Sequence, residues 1–209
     1  MPDHYYTQTP TSAHDERRIA LRALGNELTF VTDAGVFSRD GLDRGTEVLL
    51  NALPALSGRV LDLGCGWGAV GVALGKRYPK LEIVMTDINS RAVELAKRNL
   101  AANGVKAEVC QGDGFAAVEG YFDAIVTNPP IRAGKTVVYG LFAQAREHLK
   151  PGGALYVVIR KQQGAPSALK YLKEIYDRAE TVDRGSGFHV LRAQTPPMDA
   201  ADIAKACIE

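Results

Sequence analysis

From about residue 59 onward, short apolar runs alternate with stretches whose apolar residues recur every three or four positions. That alternation predicts βαβ units around a parallel sheet. Strand-like runs fall at 60–63, 83–86, 107–110, 124–127 and 155–159, with two more near Thr181 and at 188–193. Between them, Ala92, Val93, Ala96 and Leu100 share a helical face that stops at Asn103-Gly104. Val138, Leu141, Phe142, Ala145 and Leu149 repeat the pattern up to Lys150-Pro151-Gly152-Gly153, and a third helix is expected from Pro166. The last two strands are separated only by Asp183-Arg184-Gly185-Ser186-Gly187, too short for a parallel crossover, so they predict an antiparallel hairpin.

Upstream, residues 27–32 and 36–38 flank Asp33-Ala34-Gly35 and predict a small hairpin at the entrance to the domain. Asp43, Gly45 or Thr46 can cap a following helix that ends near Leu53-Pro54, and on these residues alone Asp43 and Thr46 are caps only. The expected organisation is an N-terminal arm over 1–25, a domain over 26–195 and a tail over 196–209 that adds a short helix. Tyr5 and Tyr6 in the arm are expected to pack on the domain surface.

Composition narrows this little. The 25 basic and 24 acidic side chains of the 209 residues nearly cancel, so any surface for nucleic acid must be local. Cys65, Cys110 and Cys207 have no metal-ligand spacing and read as reduced and structural. The four histidines show no paired spacing, so none is assigned as a ligand. The N-terminus lacks a basic segment followed by an apolar run, and the expected compartment is the cytoplasm.

Two stretches carry candidate chemistry. Val60-Leu61-Asp62-Leu63-Gly64-Cys65-Gly66-Trp67-Gly68 reads as a buried strand running into a glycine turn and a helix, where the backbone can approach a ligand and helix N–H groups lie beside it. Asp87 closes the next strand about 20 residues later, where a ribose-binding carboxylate is expected. Gly64-x-Gly66-x-x-Ala69 also satisfies a dinucleotide fingerprint, so the ligand stays open between nicotinamide and other adenosine types, although the terminal hairpin argues against the all-parallel dinucleotide fold. The second stretch is Asn128-Pro129-Pro130-Ile131, at the carboxyl edge of the fourth strand. Two prolines hold the backbone extended and present the Asn128 side chain and the Pro129 carbonyl as fixed acceptors for an exocyclic amine. Termination of the strand is the plainer reading of the same prolines.

Taken together, Asp62-Leu63-Gly64-Cys65-Gly66-x-Gly68, Asp87-Ile88-Asn89, Gly112-Asp113 and Asn128-Pro129-Pro130-Ile131 resemble the class I S-adenosylmethionine-dependent methyltransferases. Within them the chain is similar to the small methyltransferase-domain family of ribosomal RNA guanine-N2 methyltransferases. Phe37-Ser38, Asp43-x-Gly45-Thr46, the run from Asn128 to Lys135 and Arg160-Lys161-Gln162-Gln163-Gly164-Ala165 extend the match over about residues 26 to 193. The resemblance implies a Rossmann-like fold with a seven-stranded, mostly parallel sheet, an antiparallel terminal hairpin and helices on both faces.

It also implies S-adenosyl-L-methionine as cofactor, with Gly64, Cys65, Gly66 and Gly68 shaping the turn and Asp62 bonding the methionine amino group or a water. Asp87 and Ile88 would meet the ribose, Gly112 and Asp113 the adenine, and Phe37 and Thr46 would close the methionine end. Asn128 and Pro129 would grip the target amine while Pro130 and Ile131 shape the base pocket. Many relatives have an aromatic residue where this chain has Ile131, so a base-stacking ring must come from elsewhere, and Phe188 is the candidate. Arg132, Lys135, Arg160 and Lys161 form a candidate rim for RNA phosphates, or else solvated charges. Family members can carry a further N-terminal domain, and none is expected within these 209 residues. The expected partner is ribosomal RNA or the small ribosomal subunit. The competing expectations are a protein glutamine methyltransferase, which usually has Tyr after the prolines, and a catalytically silent RNA-binding module.

Overall fold

The chain enters through a two-stranded antiparallel hairpin, β1 (Arg17–Ala23) and β2 (Asn26–Thr32). Leu24 and Gly25, both at positive φ, make its two-residue turn. This computed structural model describes residues 8–197. The expected pairing of 27–32 with 36–38 is therefore corrected. The true partner lies upstream, where Ile19, Leu21 and Ala23 alternate with exposed Arg18, Ala20 and Arg22, and Val36 is buried from within a loop. Strand β1 also falls inside the stretch expected to be a loose arm. Residues before it are tied down as well: Ser90 N donates to the Gln8 carbonyl (3.0 Å), and Arg91 donates to the Ser12 and Ala34 carbonyls (2.8 and 2.6 Å). Tyr5, Tyr6, Cys207 and the expected tail helix lie outside the described residues.

Helix α1 (Arg44–Ala52) follows, capped by Asp43 as expected. The rest alternates β3 (Arg59–Leu63), α2 (Ala69–Arg77), β4 (Glu82–Asp87), α3 (Ser90–Asn103), β5 (Glu108–Gln111), β6 (Phe122–Thr127), α4 (Lys135–Glu147), β7 (Leu149–Arg160), α5 (Ala165–Ile175), β8 (Arg178–Gly185) and β9 (Phe188–Gln194). These seven strands form one sheet in the order β5-β4-β3-β6-β7-β9-β8. Its pairs are parallel up to β7, and β9 then runs antiparallel to both β7 and β8. Leu149, expected at the end of a helix, instead opens β7, and α4 stops at His148.

Alternation along the central strands divides the core. Val60, Ala124, Val126, Ala154, Tyr156 and Val158 pack with α1, α2 and α3 on one face. Leu61, Leu63, Ile125, Leu155, Val157 and Ile159 pack with α4 and α5 on the other. The hairpin is held by buried Asn99 and Asn103, one turn apart on α3. Each side-chain amide pairs with the backbone of β2, Asn99 with N and O of Val31 (2.7 and 2.9 Å) and Asn103 with N and O of Thr29 (3.1 and 2.8 Å). They stand in for a neighbouring strand and satisfy an edge that water or another chain would otherwise meet.

Candidate active site

A cavity of about 610 Å³ opens at the carboxyl ends of β3, β4 and β6. Its floor is the glycine turn after β3. Gly64 and Gly66 have φ of 74° and 55°, and a Cβ on either would meet nothing within 4 Å, so the open space above the turn exists because these residues lack side chains.

The N–H groups of this turn are already engaged, which differs from the expected cradle of free donors. Gly64 N and Cys65 N both donate to the Thr86 carbonyl (2.9 Å each), Gly68 N donates to Cys65 O (2.9 Å), and Gly66 N donates to Asp87 Oδ2 (2.8 Å). A pyrophosphate would need those donors. A cationic ligand would not, and the cavity wall carries Asp43, Asp87 and Asp113.

Asp87 is half-buried, and its other oxygen accepts from Asn89 N (2.9 Å). Burial pushes its pKa up, opposed by the N–H groups of Asn89, Gly66 and Ile88. Beside it the Thr86 hydroxyl is buried and has no hydrogen-bond partner among the described residues. An open glycine floor, a carboxylate with spare lone pairs and an orphaned hydroxyl fit an adenosine-bearing cation of the kind expected.

Phe37, Gly64, Gly66, Asp87, Ile88, Gly112 and Asp113 all line the cavity. Four other residues assigned to the cofactor do not. Asp62 is 2 % exposed and points toward α2, where its carboxylate accepts from Gly71 N (2.9 Å). Burial, with a smaller contribution from Asp87, raises its pKa to about 7. Cys65 is buried, and burial and the nearby Asp87 and Asp62 raise its pKa far above that of an ordinary thiol. Gly68 caps α2 behind the floor, and Thr46 is buried in the first turn of α1. These residues support the wall rather than form it. Phe37 is placed by the same support, since Trp67 Nε1 donates to its carbonyl (2.9 Å) while the Trp67 ring meets Phe30 edge-on at 4.8 Å.

Across the cavity, Asn128, Pro129, Pro130 and Ile131 sit together on the wall. Asn128 Nδ2 donates to Asp43 Oδ2 (3.1 Å) and to Thr46 Oγ1 (3.0 Å). Its Oδ1 has no partner among the described residues, which leaves an acceptor for a ligand. The backbone after it is not extended, as expected, but turned. Pro130 (φ −74°, ψ 79°) makes an inverse γ-turn in which Ile131 N donates to the Pro129 carbonyl (2.8 Å), and a single 3-10 turn, Ile131–Ala133, follows. The Pro129 carbonyl is thereby fixed in direction and keeps one lone pair.

Phe188, at the start of β9, lines the same cavity. The Arg160 guanidinium lies 5.2 Å from its ring centre, and the ring packs so closely on α1 that a Cβ at Gly45 would come within 2.8 Å of it. Arg132 and Arg160 reach the wall, whereas Lys135 lies over the Tyr139 ring at 4.9 Å, and neither Lys135 nor Lys161 lines the cavity. None of these four cations has a carboxylate within ion-pair distance among the described residues. Arg184 and Lys161, after burial, push the His189 pKa down, which adds a further positive neighbourhood beside Phe188. Sequence reading missed Asp43, Val137, Leu141 and Gln163 as wall residues. Val137 and Leu141 are four apart on α4, a spacing that could have revealed them.

Residues 27–192 match the family described as "Methyltransferase small domain". The chain is 39% identical over 199 residues to the Bacillus subtilis protein YbxB, described as uncharacterized, covering 93% of this chain and 99% of that one. It is 38% identical over 180 residues to Ribosomal RNA small subunit methyltransferase C of Aeromonas hydrophila, covering 83% of this chain but only 51% of that protein. Among solved structures, the T. thermophilus 16S rRNA N2 G1207 methyltransferase, in complex with AdoMet and guanosine, superposes with a TM-score of 0.78 at 30% identity. That match covers 89% of this chain and 52% of that one, so the chain spans about half the length of these RNA-modifying relatives.

Proposed function

The chain belongs to the methyltransferase small-domain family, and from that premise we propose that it transfers a methyl group from S-adenosylmethionine to guanine N2 of small-subunit ribosomal RNA. The observation that carries this reading is the oriented Asn128 amide: its Nδ2 is held by Asp43 and Thr46 while its Oδ1 is left as an acceptor in a cavity floored by glycine.

An exocyclic amine offers two N–H bonds. Asn128 Oδ1 accepts one and the remaining lone pair of the Pro129 carbonyl accepts the other, which draws the nitrogen toward tetrahedral geometry and aims its lone pair across the cavity. S-adenosylmethionine bound there would supply an electrophilic methyl group on sulfonium whose leaving group is a neutral thioether, so no leaving-group acid would be required. Asp87 would hold the ribose hydroxyls and Asp113 the adenine amine, and Phe37 would close the methionine end. The two acceptors stabilise positive charge as it develops on the amine, and the excess proton passes to solvent.

The base must leave its helix to reach this depth. Phe188, beside Gly45 and Arg160, offers the aromatic surface that Ile131 cannot, and the exposed cations Arg132, Lys135 and Lys161 are available to flanking phosphates. Nucleoside analysis tests the reading. After incubation with methyl-labelled S-adenosylmethionine and either 16S RNA or small subunits, label is expected in N2-methylguanosine. Label in protein would move the acceptor to a glutamine amide, and no label despite bound cofactor would leave a silent RNA-binding module.

A further inference from the structure

We infer that Asp43, the N-terminal cap of α1, is a positioning residue that sets which end of the Asn128 amide faces the substrate, an inference that rests on the methyl-transfer reading above. A side-chain amide is nearly symmetric in shape, so burial alone does not decide whether its C=O or its NH2 enters the cavity. The wrong end would present donors to an amine that is itself a donor.

One oxygen makes the choice. Asp43 Oδ2 accepts from Thr46 N (3.1 Å), which closes the helix cap, and from Asn128 Nδ2 (3.1 Å), 85 residues away in sequence. A carboxylate is acceptor-only, so the group opposite it must be the NH2. The Oγ1 of Thr46, a residue 6% exposed in the same turn of α1, takes the other N–H at 3.0 Å. With both hydrogens of Nδ2 committed, Oδ1 is the end left for the cavity.

The geometry around Asp43 is built to this purpose beyond what capping requires. A Cβ on Gly45 would lie 2.9 Å from the same Oδ2 and 2.8 Å from the Phe188 ring, although Gly45 has ordinary helical φ. The bare Cα lets the carboxylate and the aromatic ring approach the same spot from two sides. A cap needs no such clearance. Asp43 thereby links the first turn of α1 to the strand end that bears Asn128.

Cap and positioning separate cleanly by substitution. Serine caps a helix about as well as aspartate, but it is too short to reach Asn128. Asp43→Asn keeps an oxygen that can accept from both Thr46 N and Asn128 Nδ2. In methyl transfer to 16S RNA at saturating S-adenosylmethionine, Asp43→Ser is expected to lower kcat at least about tenfold with melting temperature little changed, and Asp43→Asn, which lacks the same charge, to recover most of that loss. The Asn128 side-chain amide signals in a 1H–15N spectrum give a readout independent of activity. They should be slowly exchanging in the wild type and in Asp43→Asn, and shift toward a free amide in Asp43→Ser. Wild-type kcat in Asp43→Ser, an Asn variant as impaired as the Ser variant, or unmoved Asn128 signals would each overturn the inference. If the wild type itself labels no RNA, the assigned reaction fails, while the spectrum still decides whether Asp43 holds the amide.

Discussion

The two halves of the cavity solve different problems. On the side of β3, β4 and β5, the turn backbone and its supporting carboxylates are bonded within the protein: the turn N–H groups go to Thr86, Cys65 and Asp87, Asp62 goes to Gly71, and Asp87 is braced by Gly66 and Asn89. On the side of β6, β7 and β9, polar groups reach outward. Asn128 keeps a free acceptor, and Arg132, Lys135, Arg160 and Lys161 are exposed without carboxylate partners among the described residues. The first half suits a small ligand met by an internally bonded wall, and the second suits the proposed RNA substrate, with exposed charge around one held amide.

On that contrast, the largest effect after loss of Asn128 should come from the internally bonded side. Asp87→Ala removes a braced carboxylate and is expected to raise the Kd for S-adenosylmethionine about 30-fold, in keeping with the loss of one or two charge-assisted hydrogen bonds. Calorimetric titration reads it directly, and an unchanged Kd would mean that Asp87 only braces the turn. Gly45→Ala comes next. Its new methyl presses on Phe188 and Asp43 together, so turnover should fall about tenfold while cofactor affinity stays within about twofold.

Charge reversal on the open side should do less. Lys161→Glu or Lys135→Glu is expected to weaken RNA binding a few-fold and to lower the salt slope by about one for each phosphate that is no longer neutralised. A salt slope equal to that of the wild type would make these residues ordinary solvated lysines. The smallest effect is on stability. Asp62 has its pKa raised to about 7 in the fold against 3.8 in the unfolded chain. Protonated Asp62 therefore favours folding at low pH, and that contribution is lost as pH rises from about 4 to 7. Asp62→Asn, which keeps an acceptor for Gly71 N, should melt close to the wild type at pH 5 and a few degrees above it at pH 8, without cofactor.

The sheet was readable because its signals are local. Short apolar runs alternating with helical patterns marked its seven strands, and a five-residue link forced the final hairpin. The hairpin at the entrance was misread because the buried Val36 resembles a strand residue when its supports, Trp67 on Phe37 O and Arg91 on Ala34 O, are distant in sequence. The same limit hid the role of Asp43. As a cap it is visible three residues from Thr46, but its hydrogen bond with Asn128 spans 85 positions and exists only once α1 is laid against the end of β6. The Pro129–Pro130 turn was missed for a different reason. Proline fixes φ but not ψ, so an extended reading and a γ-turn are equally compatible with the residues.

The most direct test of the oriented acceptor is the single-turnover rate of methyl transfer to 16S RNA, measured for the wild type and Asn128→Ala at saturating S-adenosylmethionine. The expected result is a loss of at least about 100-fold in N2-methylguanosine formation with cofactor affinity intact. A variant that methylates RNA at the wild-type rate would contradict it, because the amide at the end of β6 would then be part of the wall and nothing more.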